Sequence, residues 1–210
     1  TQASAAAYER AKRSLVGGVS SSYQKRAPWP IYLDRGQGQY VWDIDGRQYL
    51  DVHNGIGSMV QGHAHPVITE AVDRRIRLGS HFAAPTEDTY IVSEHLAARW
   101  GLPRWRFVNS GSEATMDAIR IARAVTGRDG VMKIFGSYHG HHDYVMVDIG
   151  LSVYEGNDRE HYPSIAYGKG IPDPVTQMTT AVPFNDAGVL ERRLAALQQE
   201  GRLPACLIME

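Results

Sequence analysis

The chain has 210 residues, with 22 Lys and Arg against 23 Asp and Glu, a formal net charge of −1 and a hydrophobic content of 43%. That is enough apolar material for one or two domains with a sizeable core. The scattered, balanced charge offers no basic stripe to nucleic acid, and no apolar run approaches the ~20 residues needed to cross a bilayer. A lone cysteine, Cys206, excludes an intramolecular disulfide framework and fits a reducing, cytoplasmic compartment.

The N-terminal run Ala3–Ala7 lacks the pattern of a secretory signal. Ala3–Leu15 has the spacing of an amphipathic helix that stops at Gly17-Gly18. Short strands are expected near Ile31–Leu33, Gln39–Trp42 and Gln48–Val52, broken by Arg35-Gly36-Gln37-Gly38 and by the Asp45-Gly46 turn. Residues 1–65 therefore form an N-terminal segment with a small antiparallel lobe. From Pro66 the period lengthens. Helices are expected at Pro66–Leu78, with proline near the first position, and from Thr86 to Gly101-Leu102-Pro103.

Beyond Arg104, strand and helix alternate. Arg106–Asn109 is a predicted strand, Glu113–Val125 a helix, Val131–Phe135 a strand, Asp186–Gln199 a helix and Ala205–Glu210 a strand. This rhythm predicts an α/β fold with a mostly parallel sheet flanked by helices over residues 66–210. Gly150–Gln177 is a long Gly/Pro/Asp-rich stretch without a period, a length usual for functional loops. Thr1 is not an initiator methionine, and the final run reads as a buried strand that has only begun. The chain is therefore expected to be part of a longer protein with an incomplete large domain.

Two local patterns carry chemistry. In Asn109-Ser-Gly-Ser-Glu-Ala-Thr115 a predicted strand runs into Ser110, Gly111 and Ser112 as a helix starts. Free N–H groups, the positive end of the helix dipole and two hydroxyls then converge, which suits a phosphate monoester. The same residues would also serve as an ordinary serine N-cap with Glu113 in the first turn. The second pattern is Phe135-Gly-Ser-Tyr-His-Gly-His-His-Asp143, after the next strand. In an open α/β sheet ligands gather at the carboxyl ends of strands, so Tyr138 and His139 fall in the region of Ser110–Ser112. Tyr138 could stack on a flat heterocycle, and His139 could stack or donate a hydrogen bond. A metal site built from His139, His141, His142 and Asp143, joined by His63 and His65, is the rival. Gly140 breaks that cluster and no Cys or Glu spacing completes it, so no metal is expected.

Taken together, these segments resemble the class III aminotransferase family of fold-type I pyridoxal 5′-phosphate (PLP) enzymes. The closest look is to the glutamate-1-semialdehyde aminomutase branch. The resemblance rests on Gly17-Gly-Val19, Gly38–Asp51 with Trp42-Asp-Ile-Asp-Gly46, Gly62-His-Ala-His-Pro66, Arg106–Asp129, Tyr138-His-Gly140 and Asn185-Asp186, which follow family order along nearly the whole chain. It implies that Ser110, Gly111 and Ser112 hold the cofactor phosphate, that Tyr138 stacks on the pyridine ring and that His139 accompanies it. Glu113 and Glu210 are implied as supporting carboxylates behind the site. It also implies that the Schiff-base lysine and the aspartate facing the ring nitrogen lie downstream, so no catalytic residue is assigned among Lys12, Lys25, Lys133 and Lys169. Lys133 is expected to be structural or solvent-facing.

Two departures from the aminomutase branch bear on substrate. Gln24 stands where that branch has an arginine suited to a carboxylate, and Ile56 where it usually has tryptophan. Ser21, Tyr23, Gln24 and Ile56 are expected at the substrate pocket, with Arg26 a possible substitute cation. The expected activity is transfer of an amino group between an amine or amino acid and a keto acid or aldehyde, in a homodimer whose shared pocket the Gly150–Gln177 loop shapes. An aminomutase is the alternative. A non-catalytic PLP-binding or regulatory relative and a metal-dependent hydrolase are more distant ones.

Overall fold

The computed structural model describes residues 1–149 and 162–210 and divides into two compact units, Thr1–Ile91 and Val92–Glu210. In the first, helix α1 (Gln2–Ala11) is capped by the Thr1 hydroxyl, which accepts from the Ser4 N–H. Strands β1 (Leu33–Gln37), β2 (Tyr40–Asp43) and β3 (Gln48–Leu50) form an antiparallel meander in the order β1-β2-β3. The β2–β3 turn is built on Asp43. Its buried carboxylate accepts from the N–H groups of Asp45 and Arg47 at 3.0 and 2.9 Å and from the Tyr49 hydroxyl at 2.7 Å. A buried carboxylate needs such partners, because leaving it bare costs several kcal/mol. A short turn α2 (Asn54–Gly57) follows, then helix α3 (Pro66–Ile76), and helix α4 (Glu87–Trp100) starts in the first unit and continues into the second. Pro66 opens α3 at the position where its missing N–H costs nothing.

The second unit contains α5 (Gly111–Thr126), β4 (Val131–Ile134), α6 (Asp173–Thr176), β5 (Thr179–Val182), α7 (Ala187–Gln199) and β6 (Cys206–Ile208). Its sheet is parallel with β4 in the centre, in the order β5-β4-β6. Alternation along β4 sends side chains to two covered faces. Val131 packs with Ile119 of α5 and with Val145, while Met132 packs with Val182 and with Leu197 of α7. Each such burial contributes about 1.5–3 kcal/mol. The expected α/β architecture with a small antiparallel sheet is therefore present.

The structure differs from, or adds to, the sequence reading at three points. No ladder forms at Arg106–Asn109: among the described strands none runs beside it, and Phe107 and Val108 remain 46% and 38% exposed. Strand β5 was not legible, because Thr179-Thr180 reads as polar. In the structure Thr179 is buried and its hydroxyl donates to the Tyr144 carbonyl at 2.7 Å. Of the two roles expected for Lys133, structural or solvent-facing, the structural one holds, since it is fully buried in the central strand. Of the Gly150–Gln177 stretch, residues 150–161 lie outside the described residues, while 162–177 carries α6 and a bridge between Val147 and Ala166.

Candidate cofactor site

The site in the second unit is assembled from the start of α5 and the loop after β4. Ser110 is the N-cap of α5, with extended backbone, and its hydroxyl accepts from the Glu113 N–H at 3.2 Å. Glu113 reaches back to accept from the Asn109 N–H at 2.5 Å. This reciprocal arrangement is a capping box displaced by one residue. It ties Glu113 to the backbone, and it leaves the N–H groups of Gly111 and Ser112 without partners among the described residues. A Cβ at Gly111 would meet nothing within 4 Å, so there is open space at the helix terminus where the dipole favours an anion. The N-cap role and the anion site thus coexist in the same three residues.

The loop bearing Tyr138 and His139 is fastened to that helix start. The His141 N–H donates to Ser112 Oγ at 3.0 Å, and Thr115 Oγ1 donates to the His139 carbonyl at 2.6 Å. Gly140, at φ +107°, lies so close that a Cβ there would come within 2.6 Å of Ser112 Oγ and 2.7 Å of Ser112 Cα. His142 Nε2 is 3.2 Å from Thr115 Oγ1. The Ser112 hydroxyl accepts from the loop and keeps its own proton free to donate.

Tyr138 is half exposed, with the edge of its ring against His141 at a centroid separation of 6.2 Å and 71° between planes. Its N–H donates to Glu210 Oε2 at 2.9 Å, so a carboxylate two residues beyond β6 orients the loop from behind. His139, by contrast, is buried, and its Nε2 lies 2.9 Å from Ser137 Oγ. Burial above all, together with the nearby Lys133 cation, holds its pKa below the ordinary imidazole value. His142 is shifted in the same direction, chiefly by burial.

Of the residues expected at the substrate pocket, Tyr23, Gln24 and Ile56 line a recess of about 690 Å³ in the first unit, and Ser21 does not. The Ser21 hydroxyl instead caps the turn Ser22–Gln24. Gln24 Oε1 accepts from the Ser20 hydroxyl at 2.8 Å. Arg26 lines the recess too, but its Nη1 donates to the carbonyls of Tyr23 and Lys25 at 2.7 and 2.8 Å. His53 Nε2, which was not anticipated, sits 3.1 Å from the Tyr23 hydroxyl. Thr115, Ser137, His142 and Lys133 were likewise not assigned to the site. Thr115 was readable in principle, because it lies four residues after Gly111 on the same side of the helix. Among the described residues no group of three or more His, Cys, Asp or Glu side chains could hold a metal ion, and no helix is long and apolar enough to cross a membrane.

The profile of aminotransferase class III matches residues 21–202. The chain belongs to the class III aminotransferase family. Glutamate-1-semialdehyde 2,1-aminomutase of Methanocaldococcus jannaschii is 39% identical over 204 residues, 97% of this chain and 46% of that protein. An omega-transaminase from Sphaerobacter thermophilus superimposes with a TM-score of 0.92 at 38% identity, covering 99% of this chain and 47% of that one. A transaminase with PLP bound superimposes at 0.87 with 36% identity, covering 100% and 47%. This class III chain therefore spans about half the length of the relatives it matches, and the cofactor of its family is PLP. The open N–H groups, the hydroxyls and the glycine at the start of α5 fit a phosphate monoester, and the half-exposed Tyr138 ring fits a flat pyridine.

Proposed function

We propose that the whole protein is a PLP-dependent aminotransferase moving an amino group between an amine or amino acid and a keto acid or aldehyde. The observation that carries this is the attachment of the Tyr138 loop to the α5 N-terminus through Ser112 and Thr115. Bound PLP supplies an electron sink that makes a neighbouring C–H bond acidic. This chain's part is to hold and orient. The N–H groups of Gly111 and Ser112, with the hydroxyls of Ser110 and Ser112, would hold the phosphate, and Tyr138 would stack against the ring. His139 acts beneath the loop through its contact with Ser137, and Glu113 and Glu210 fix the backbone on either side. Fixed donors of this kind cost no reorganisation when the ligand arrives.

Transamination is preferred to the aminomutase reaction because of the first unit's recess. Gln24 offers no charge there and cannot supply the two-pronged, charge-assisted grip that an arginine at that position would give a carboxylate, while Arg26 commits its Nη1 to backbone carbonyls. The aminomutase reading keeps support from relatives of that name at 36–39% identity. The deciding experiment is an absorbance spectrum of the full-length protein loaded with PLP. Under transamination the visible cofactor band disappears on adding an amino donor and returns only when an external keto acid is supplied. Turnover of a single amino-aldehyde with no external acceptor would establish the aminomutase instead, and a protein that stays colourless with excess PLP would sink both.

A further inference from the structure

Lys133 stands out because a fully buried lysine is rare without an acidic partner. It sits in the central strand β4, on the face covered by α5, and among the described residues no carboxylate pairs with it. Its three N–H donors go to three carbonyls instead: Ser137 at 2.8 Å, Val147 at 2.7 Å and Val145 at 3.3 Å. These carbonyls flank the loop on both sides. Ser137 precedes Tyr138 on the outgoing side, and Val145 and Val147 lie on the returning side.

We propose that Lys133 is the positioning residue of the cofactor-stacking loop, a single ammonium that clamps the outgoing and returning strands of residues 136–148 and so sets where Tyr138 stands. This rests on the reading of the site as a PLP site. Other contacts hold the loop as well: the Gly136 N–H donates to the Asp148 carbonyl at 2.8 Å and closes its base, Ser112 and Thr115 tie it to α5, and the Tyr138 N–H donates to Glu210. Lys133 adds a buried cation that takes three carbonyls from the two sides at once. An ammonium suits the task, since it presents three donors and no acceptor to a convergence of carbonyls. Burial holds its pKa down to about 8, with Asp148 and Glu210 opposing that shift from a distance, so the charged form predominates near neutral pH.

The test is backbone hydrogen exchange on the full-length, cofactor-free protein, wild type against Lys133→Met and Lys133→Gln. Methionine fills the space without donors, and glutamine keeps two donors on a shorter stem. In the wild type, the hydrogen-bonded amides of Gly136, Tyr138, His141 and Asp148 should exchange within tenfold of those in β4. In Lys133→Met they should exchange at least tenfold faster while β5 and α7 amides keep their rates, with Lys133→Gln between the two. PLP added to the same proteins should then bind at least tenfold more weakly to the methionine variant, with an altered visible circular dichroism band. Uniformly faster exchange in every element, or an unchanged loop in a folded variant, would overturn the clamp and leave Lys133 a plain core residue. Should neither variant fold, wild-type loop amides that exchange at unprotected rates would overturn it, and protected ones would support it. A wild type that binds no PLP defeats the site assignment, while the exchange comparison still decides the clamp.

Discussion

The carboxylate of Glu210 accepts the backbone N–H of Tyr138 at 2.9 Å, across 72 positions of sequence. A carboxylate two residues beyond β6 thus fixes the backbone of the residue, four beyond β4, that is proposed to face the cofactor ring. Parallel pairing of the two strands brings both carboxyl ends to one edge, where ligands of open α/β sheets bind. Glu210→Ala removes the acceptor and should cost about 1 kcal/mol, or roughly fivefold in PLP affinity. Glu210→Gln, which keeps a carbonyl oxygen, should stay close to wild type. Equilibrium titration of the full-length apoprotein with PLP reads both, and equal losses in the two variants would deny the hydrogen bond its role.

Gly140→Ala introduces two faults at once. The backbone is at φ +107°, and the new Cβ would lie 2.7 Å from Ser112 Cα, which cannot swing away as a long side chain could. The combined strain and overlap should destabilise by about 2–4 kcal/mol. Urea unfolding of the full-length protein measures this. The control is Gly111→Ala, where a Cβ meets nothing within 4 Å. It should leave stability within about 1 kcal/mol of wild type yet crowd the anion site and weaken PLP. If the two variants behaved alike, the close approach of loop and helix would be refuted.

Most of this was legible from local signals. Helix α5 could be placed because Ser110 caps it and Gly127 ends it at φ 66°, a conformation glycine adopts freely. The proposed cofactor residues rest on a serine-glycine-serine turn and an aromatic after a strand, read together with the family resemblance. Tertiary neighbours hid the rest. Val131-Met-Lys-Ile134 has one charge in an otherwise apolar strand, which leaves open whether Lys133 faces water; both faces of the sheet are covered, so the charge found carbonyls instead. The buried place of His139 was hidden for the same reason: the motif shows the ring's identity but not which way it turns. Arg106–Asn109 has strand-like residues, and residues of that kind become a strand only where a neighbour supplies hydrogen bonds.

Asp148 makes stability depend on pH in a direction unusual for a carboxyl group. Burial raises its pKa from 3.8 to about 6, opposed by the Ile165 N–H and the Lys133 charge, and its Oδ2 has no partner among the described residues. The folded state therefore holds this proton more tightly than the unfolded chain. The resulting stabilisation is complete below the unfolded value and is lost as pH rises through about 6. Its size is at most about 3 kcal/mol. Asp148→Asn keeps the Oδ1 acceptor and abolishes the titration. The wild-type minus variant difference in urea midpoint should shrink, then reverse, as pH climbs through this window. Parallel curves for the two proteins would show that Asp148 ionises normally.

Ile56 lines the recess of the first unit with its backbone at φ 60°, inside a run in which Asn54, Gly55 and Gly57 are also left-handed. A β-branched residue in that region is strained by about 1–2 kcal/mol, because its Cβ crowds the following carbonyl. Its side chain is 73% exposed, so packing recovers little of that. Ile56→Gly relieves the strain, offset by the ~0.5–1 kcal/mol that glycine adds in unfolded-state entropy. The variant should therefore be more stable by up to about 1 kcal/mol in urea unfolding of the full-length protein. Its amine turnover should change more than its affinity for PLP, since Ile56 lines the recess proposed as the substrate pocket and not the proposed phosphate site. A variant that loses stability instead would refute the strain argument and show that another surface of the whole protein covers this side chain.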